Sequence, residues 1–336
     1  MGPPKPFPLF RLPFLAIEEA FKAMHPFEII NFSMISKRTK TVTKHMSFFS
    51  KYSIGIDIDE EQQVSVVGPE YTTECVYIFT SNEEMNGKVV EEGDWDDMYE
   101  LRAWKYSKNP VEEWMQLLKH VLDIFKKQSI DSFTMTMDAF VDQNVSIIDF
   151  LKSNVKSVDN CNLYQLRDET NVDDHNAYLL KNITISSKLF LLLDIKNNNF
   201  NAKIPKNLKE LTILESKWIG YERLLEIDCK SVTLKNYKIL DEQWNLFFKK
   251  WISMETNQNL EYLELDNRDL EEFRDRVLHD IPYEVVSEEI SRIVTCRYNP
   301  AQKINGGIDI RRIDGKTATF FLQFTGSEES LLMCIH

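Results

Sequence analysis

The chain has 336 residues, 43% of them hydrophobic, with 40 Lys and Arg against 53 Asp and Glu, for a net charge of −13. That length suggests about two domains, or one large one, with apolar content enough for a sizeable core. An acidic chain without a basic stripe argues against nucleic acid as a partner, and no stretch approaches the ~18 apolar residues of a membrane span.

The charge is unevenly spread. Residues 1–51 hold Lys5, Arg11, Lys22, Lys37, Arg38, Lys40, Lys44 and Lys51 against Glu18, Glu19 and Glu28, a net +5. Residues 54–100 hold fourteen acids against Lys88. A small basic piece thus precedes an acidic one, as if two units had been joined. Pro3, Pro4, Pro6, Pro8 and Pro13 interrupt the apolar start, so it does not read as a secretory signal. The expected location is intracellular, cytoplasm or nucleus. Cys75, Cys161, Cys229, Cys296 and Cys334, with no C-x-x-C among them, are then expected to be reduced and mostly buried.

In chain order, residues 7–50 read as short helices. Pro13 suits a first-turn position, and Phe14, Ile17, Phe21 and Met24 form one stripe. His25-Pro26 stops that helix and opens the next, which carries Ile29, Ile30, Phe32 and Ile35; a third runs through Met46. With Phe7, Leu9, Phe10 and Phe27, this is more apolar surface than three short helices can enclose. The excess either packs on the following domain or forms a partner surface.

From Tyr52 the period becomes two. Ile54, Ile56 and Ile58, then Val64 and Val66, then Val76 and Ile78 predict antiparallel strands, with Gly68-Pro69 as a turn. Residues 83–97 read as a solvated acidic loop. Asn109 as N-cap, Pro110 at the first helical position and Glu112 two residues on predict a capping box. The helix it opens has the stripe Val111, Trp114, Leu118, Val121, Leu122 and Phe125.

Beyond it, strands are expected at 133–137, 162–166, 183–185, 208–213, 232–234 and 260–265. Leu208-Leu211-Ile213 and Leu260-Leu263-Leu265 share the spacing L-x-x-L-x-[IL]. Between the last two strands, Trp244, Phe247, Phe248, Trp251 and Ile252 mark a helix. Strand, turn and helix recurring every 20 to 31 residues resemble an irregular leucine-rich-repeat stack. The target-binding surface is left open by the sequence: if the repeats form, exposed residues of strands 232–234 and 260–265 are better candidates to grip a target than the acidic loop 83–97, whose alternative role is to meet a basic target. Ile308 and Ile310 before Asp314-Gly315, then Phe320, Leu322 and Phe324, predict a closing hairpin. The fold class is therefore α+β or α/β.

Chemistry leaves little trace. The chain has no phosphate-cradling Gly loop, no H-E-x-x-H and no G-x-S-x-G. Asp173-Asp174-His175 offers metal-ligand types, and it equally fits the polar start of a helix. Neither catalytic residues nor a cofactor nor a metal is expected; an unrecognised hydrolase or transferase would need a deep pocket lined by His, Asp or Cys.

Two stretches carry a family resemblance. FPLFRLPFLAIEEAFKAMHPFEIINFSMISKRTK (residues 7–40) resembles the F-box, in its Leu12-Pro13 opening, Ile17 and Phe21, Pro26, and the Ser36-Lys37-Arg38 close. Residues 211–267 are similar to the second type of F-box-associated domain, a family expanded in nematodes. The marks are Trp218, Leu224-Leu225, Cys229, Val232, Leu234, Phe247-Phe248, Lys250-Trp251 and Asn259-Leu260-Glu261. The resemblance implies an F-box over 1–51 and an F-box-associated substrate-recognition domain over 52–336. It further implies docking on an acidic Skp-type adaptor, and through it on a cullin and RING ubiquitin ligase, with the second domain binding a target protein. Carried over residue by residue, Leu12, Pro13, Ile17, Phe21, Ile29, Ile30, Ser36 and Lys37 are the expected adaptor contacts.

Overall fold

The computed structural model describes residues 11–69, 73–93, 99–167, 169–197, 200, 202–296, 299–325 and 328–336. Phe7, Leu9 and Phe10 of the expected helical stretch, and residues 94–97 of the expected acidic loop, lie outside them. Two compact units emerge, one of residues 1–135 with 149–158, the other of 136–148 with 159–336. The helical start falls in the same compact unit as the strands that follow it.

The first unit opens with α1 (Phe14–Lys22), α2 (Pro26–Met34) and α3 (Lys37–Lys44). Strands β1 (Ser53–Ile58), β2 (Gln62–Val67), β3 (Thr73–Thr80), β4 (Val89–Gly93) and β5 (Tyr99–Tyr106) follow, then α4 (Pro110–Ile124) and β6 (Ser129–Thr136). Alternation places Ile54, Ile56, Ile58, Val64 and Val66 inside, and β1, β2 and β3 pair antiparallel as expected. β6 joins the free side of β1 in parallel, and β5 lies parallel to β3. The expected acidic loop is a strand in part: β4 pairs antiparallel with β5, and Tyr99 donates its hydroxyl to Glu91 at 2.6 Å. Composition hid this, because β4 takes its ladder partners from β5 whatever its own side chains prefer.

α4 lays its stripe on this sheet. Trp114, Leu118 and Val121 are wholly buried, and the Trp114 indole donates to the Gln63 carbonyl at 3.0 Å. Asn109 does sit at its N-cap, but its side chain accepts no backbone bond there. It donates instead to Glu112 at 2.8 Å, while the Ser107 hydroxyl accepts from the Asn109 N–H at 3.0 Å. The helix starts where the sequence places it, with different hydrogen bonds.

Next come α5 (Asn144–Asn154), β7 (Ser157–Tyr164), α6 (Asp173–Asn182), β8 (Ile185–Leu192), β9 (Glu210–Ile213), α7 (Tyr221–Glu226), β10 (Ser231–Leu234), α8 (Asp241–Ile252), β11 (Tyr262–Leu265) and α9 (Leu270–Val277). Four long strands end the chain: β12 (Tyr283–Cys296), β13 (Asn299–Arg311), β14 (Thr317–Thr325) and β15 (Glu328–Ile335). The strand order in the second unit is β7-β8-β9-β10-β11-β15-β14-β13-β12. The strands expected at 162–166 and 183–185 are displaced, the real ones spanning 157–164 and 185–192. Leu189 and Leu191 are strand residues whose ladder partners, Leu211 and Ile213, lie more than twenty residues away.

β8 to β11 are parallel and in register. Leu189, Leu211, Val232 and Leu263 form one row across them, and Leu191, Ile213, Leu234 and Leu265 a second. All eight are buried. Behind them α8 buries Trp244, Phe247, Phe248 and Trp251, and Phe248 meets Phe273 and Phe320 at ring distances of 6.0 and 5.2 Å. The ends of the strands are tied by polar groups: Asp266 accepts from the Asn236 N–H at 2.9 Å, and Asn236 donates in turn to the Leu214 carbonyl.

The other face of β10 and β11 is covered as well, which sequence alone does not reveal. β12 and β13 pair with an irregularity between Val286 and Ser291, opposite Gly306-Gly307. These glycines take φ of +65° and +111°, and a Cβ there would stand 2.9 Å from the Val286 carbonyl oxygen and 2.8 Å from that of Phe320. Beyond this bend the pair brings Val294 and Ile304 against Tyr262, Phe321 and Leu332. Every residue of β10 and β11 is thus buried, including Ser231, Thr233, Tyr262 and Glu264. The expectation that these strands present a gripping surface is overturned. The predicted closing hairpin is present as β13–β14, turning at Gly315 with φ of +92°. Cys75, Cys161 and Cys229 are free and buried, but Cys334 is disulfide-bonded, so the expectation of five reduced thiols fails there.

Candidate functional site

In the first unit, α1 to α3 hold themselves together with local bonds. Ser36 caps α3, accepting from the Thr39 N–H at 3.1 Å while Thr39 Oγ1 accepts from the Ser36 N–H at 2.9 Å. Glu28 reaches back to the His25 N–H at 3.2 Å at the start of α2. Phe21 packs edge-on to Phe32, centroids 5.3 Å apart.

The helices are also anchored to the rest of this unit. Phe27 inserts against Cys75, Leu101 and Tyr77, with its ring 4.4 Å from that of Tyr77. Lys40 and Lys44 converge on Asp123 of α4 at 2.9 and 2.6 Å, which holds its carboxyl below the ordinary carboxylate range. Ser33 and His120 share a hydrogen bond of 2.7 Å. Burial, with Lys40 nearby, lowers the His120 pKa from its ordinary 6.5. A depressed value means that the neutral ring is the folded form. Stability from this contact is therefore present above about pH 6.5 and lost as pH falls toward the folded value. Melting the native chain and His120→Gln at about pH 7.5 and about pH 5.5 should show a larger acid-induced drop for the native chain; equal drops would remove the role.

Anchoring leaves several apolar side chains of these helices bare. Of the eight expected adaptor contacts, Ile17, Phe21, Ile29 and Ile30 are interior, Leu12 is half-buried, and Pro13, Ser36 and Lys37 are exposed. The four interior side chains offer no contact surface of their own. The accessible apolar groups are Phe14, Leu15, Met34 and Ile35, 49 to 74% exposed. Phe14 and Leu15 follow Pro13 at the start of α1, while Met34 and Ile35 end α2 just before Ser36. Leu15 and Met34 belong to the apolar excess of this stretch, yet the F-box resemblance marks neither as a contact, and a docking face need not lie on the residues that pack inward. Such an arrangement can bind a complementary apolar surface; it has no means of bond chemistry.

The second unit offers no reactive constellation among its described residues. Asp173 begins α6 and accepts from the Lys196 and Asn197 N–H groups at 3.1 and 2.7 Å, so it organises backbone. His175 lies 3.4 Å from the Asn144 amide nitrogen. Among the described residues no group of three or more His, Cys, Asp or Glu is placed to hold a metal ion, and no helix is long and apolar enough to cross a membrane. Burial raises the thiol of Cys75 to about 12 and that of Cys229 to about 12, far from nucleophilic values.

Comparison with known proteins places a family on the second unit. Residues 199–265 match the F-box associated family. The match begins ahead of the expected 211–267 core, takes in the segment before β9, and ends on β11. The Skn-1 dependent zygotic transcript 15 protein of Caenorhabditis elegans is 25% identical over 343 residues, 93% of each chain. The uncharacterized Caenorhabditis elegans protein F59B2.9 is 24% identical over 142 residues, 42% of this chain and 33% of that one. No solved structure matches the chain. The chain thus carries an F-box-associated segment and has a nematode relative along nearly its whole length.

Proposed function

We propose that this chain is the substrate-receptor subunit of a Skp–cullin–RING ubiquitin ligase. Residues 1–51 act as its F-box, and the second unit, which contains the F-box-associated match, carries the target-binding part on a surface other than the covered strands β10 and β11. The observation that carries the reading is the F-box-associated match at 199–265 in a chain whose N-terminal helices keep Phe14, Leu15, Met34 and Ile35 uncovered. The basic balance of residues 1–51 suits an acidic adaptor. Pro13, Phe14, Leu15, Met34, Ile35, Ser36 and Lys37 form the contact face, and Ile17, Phe21, Ile29 and Ile30 hold its helices at a fixed spacing. The chain performs no chemistry; it raises the effective concentration of a target near the ligase.

Coexpression with a Skp-type adaptor should yield a stable complex on gel filtration. Failure to copurify under conditions where the chain is folded would overturn the reading. A second reading, an interaction scaffold without a ligase, draws on the packing of Phe27, Lys40 and Lys44 against the rest of the first unit. Both readings expect removal of residues 1–50 to destabilise the remainder, so only adaptor capture separates them.

A further inference from the structure

We propose that the outer edge of β12 and the cleft beside it dock an extended, cationic peptide segment of a partner protein, which adds as one more strand. This goes beyond the ligase reading and does not rest on it.

β12 is the last strand at its end of the order, so one row of its backbone N–H and C=O groups lacks a strand partner among the described residues. Through Tyr283–Val286 it is regularly paired on its inner side, Tyr283 with Ile310 and Val285 with Ile308. Paired residues share a face, so Tyr283 and Val285 lie on the side of Ile308 and Ile310. Those two are buried, whereas Tyr283 is 42% and Val285 54% exposed. Val285 and Ile308 line a cleft of about 910 Å³, together with Leu270 at the start of α9. An added strand would point alternate side chains into that cleft, the arrangement by which edge recognition gains specificity.

Charge selects the occupant. Glu288, Asp269 and Glu271 line the cleft, Asp269 also accepting from the Glu272 N–H at 2.8 Å, while Glu289 and Glu284, the latter 3.9 Å from Arg311, are exposed on the same strand. Of the cleft's two cations, Arg274 is already paired with Asp275 at 2.7 Å; Lys303 is the other. A second copy of this chain laid edge to edge would set glutamates against glutamates, the device by which exposed edges resist self-pairing. A segment alternating Lys or Arg with Val or Ile satisfies the backbone, the cleft and the carboxylates together.

The test uses the full chain and a fluorescein-labelled peptide of sequence Lys-Val-Lys-Val-Lys-Val, read by fluorescence anisotropy. The expected result is saturable binding with Kd on the order of 10 μM. Three changes should each weaken it about tenfold or more: N-methylation of alternate peptide nitrogens, Val285→Lys, and Glu288→Lys with Glu289→Lys. The last pair sits on exposed side chains, so it remains informative if Val285→Lys melts early. No binding up to about 1 mM, equal binding of a Glu-Val-Glu-Val-Glu-Val peptide, or indifference to N-methylation would each overturn the proposal. So would sedimentation showing a dimer that Val285→Lys dissolves.

Discussion

Exchanging Leu15 and Ile35 for aspartate is expected to abolish capture of a Skp-type adaptor while leaving the chain folded. Both side chains are largely in solvent, 74 and 72% exposed, so their loss removes little that folding has buried. Surface changes of this kind usually shift stability by no more than about 0.5 kcal/mol. At the centre of an apolar interface, by contrast, each is a candidate for a hot spot, where truncation costs about 2 kcal/mol or more, roughly thirtyfold in affinity. A carboxylate in place of the hydrocarbon adds repulsion from an acidic partner. The pair should therefore lower affinity by at least about a thousandfold, measured by calorimetry against purified adaptor, with the melting curve as control. Phe21→Ala is the instructive contrast. Phe21 is wholly buried, and its removal is expected to cost about 3–5 kcal/mol, so any lost binding would follow from unfolding. Retention of the adaptor by the Leu15, Ile35 variant would sink the proposed face.

The second large effect lies in the F-box-associated segment. Trp251→Ala is expected to destabilise the second unit by about 3–5 kcal/mol, read from the denaturant midpoint of the full chain. Trp251 is wholly buried on α8, and its ring lies 5.1 Å from the guanidinium of Arg312, itself only 4% exposed. That guanidinium is held by Asp314 at 2.7 Å and by the Gln258 carbonyl at 3.0 Å, and it keeps the Asp314 carboxyl down at about 2. Removing the indole therefore opens a cavity and strips one face from a buried cation. Trp251→Phe should cost much less, because the indole N–H has no hydrogen-bond partner among the described residues. A loss below about 1 kcal/mol for the alanine variant would show that the cavity collapses and that Arg312 does not depend on the ring.

Both effects turn on which apolar residues end up covered, and periodicity settles that only in part. Phe14, Ile17, Phe21 and Met24 share one helical stripe, yet Ile17 and Phe21 are buried while Phe14 stands half in solvent. The question of whether the N-terminal excess is packed or exposed has a divided answer: Phe27 goes into the first unit, and Leu15 and Ile35 do not. A stripe says which residues point the same way; it does not say how far the neighbouring element extends along them.

Where structure follows from nearest neighbours in the chain, the sequence by itself was enough. Pro110 opening α4 and its Trp114–Leu118–Val121 stripe, the α8 run from Trp244 to Trp251, the alternation of β1 to β3, and the β13–β14 turn at Gly315 all depend on local geometry and a single period. The same holds for the residues that mark the F-box-associated segment. Only the tertiary structure decided that β4 is a strand, that Leu189 and Leu191 belong to β8, and that β10 and β11 are hidden from both sides. Each of these is set by a pairing partner far along the chain, and burial of Tyr262 and Glu264 follows from a bend at Gly306-Gly307 more than forty residues later. Solvent exposure is a property of what lies opposite, and that is not written in the period of the strand itself.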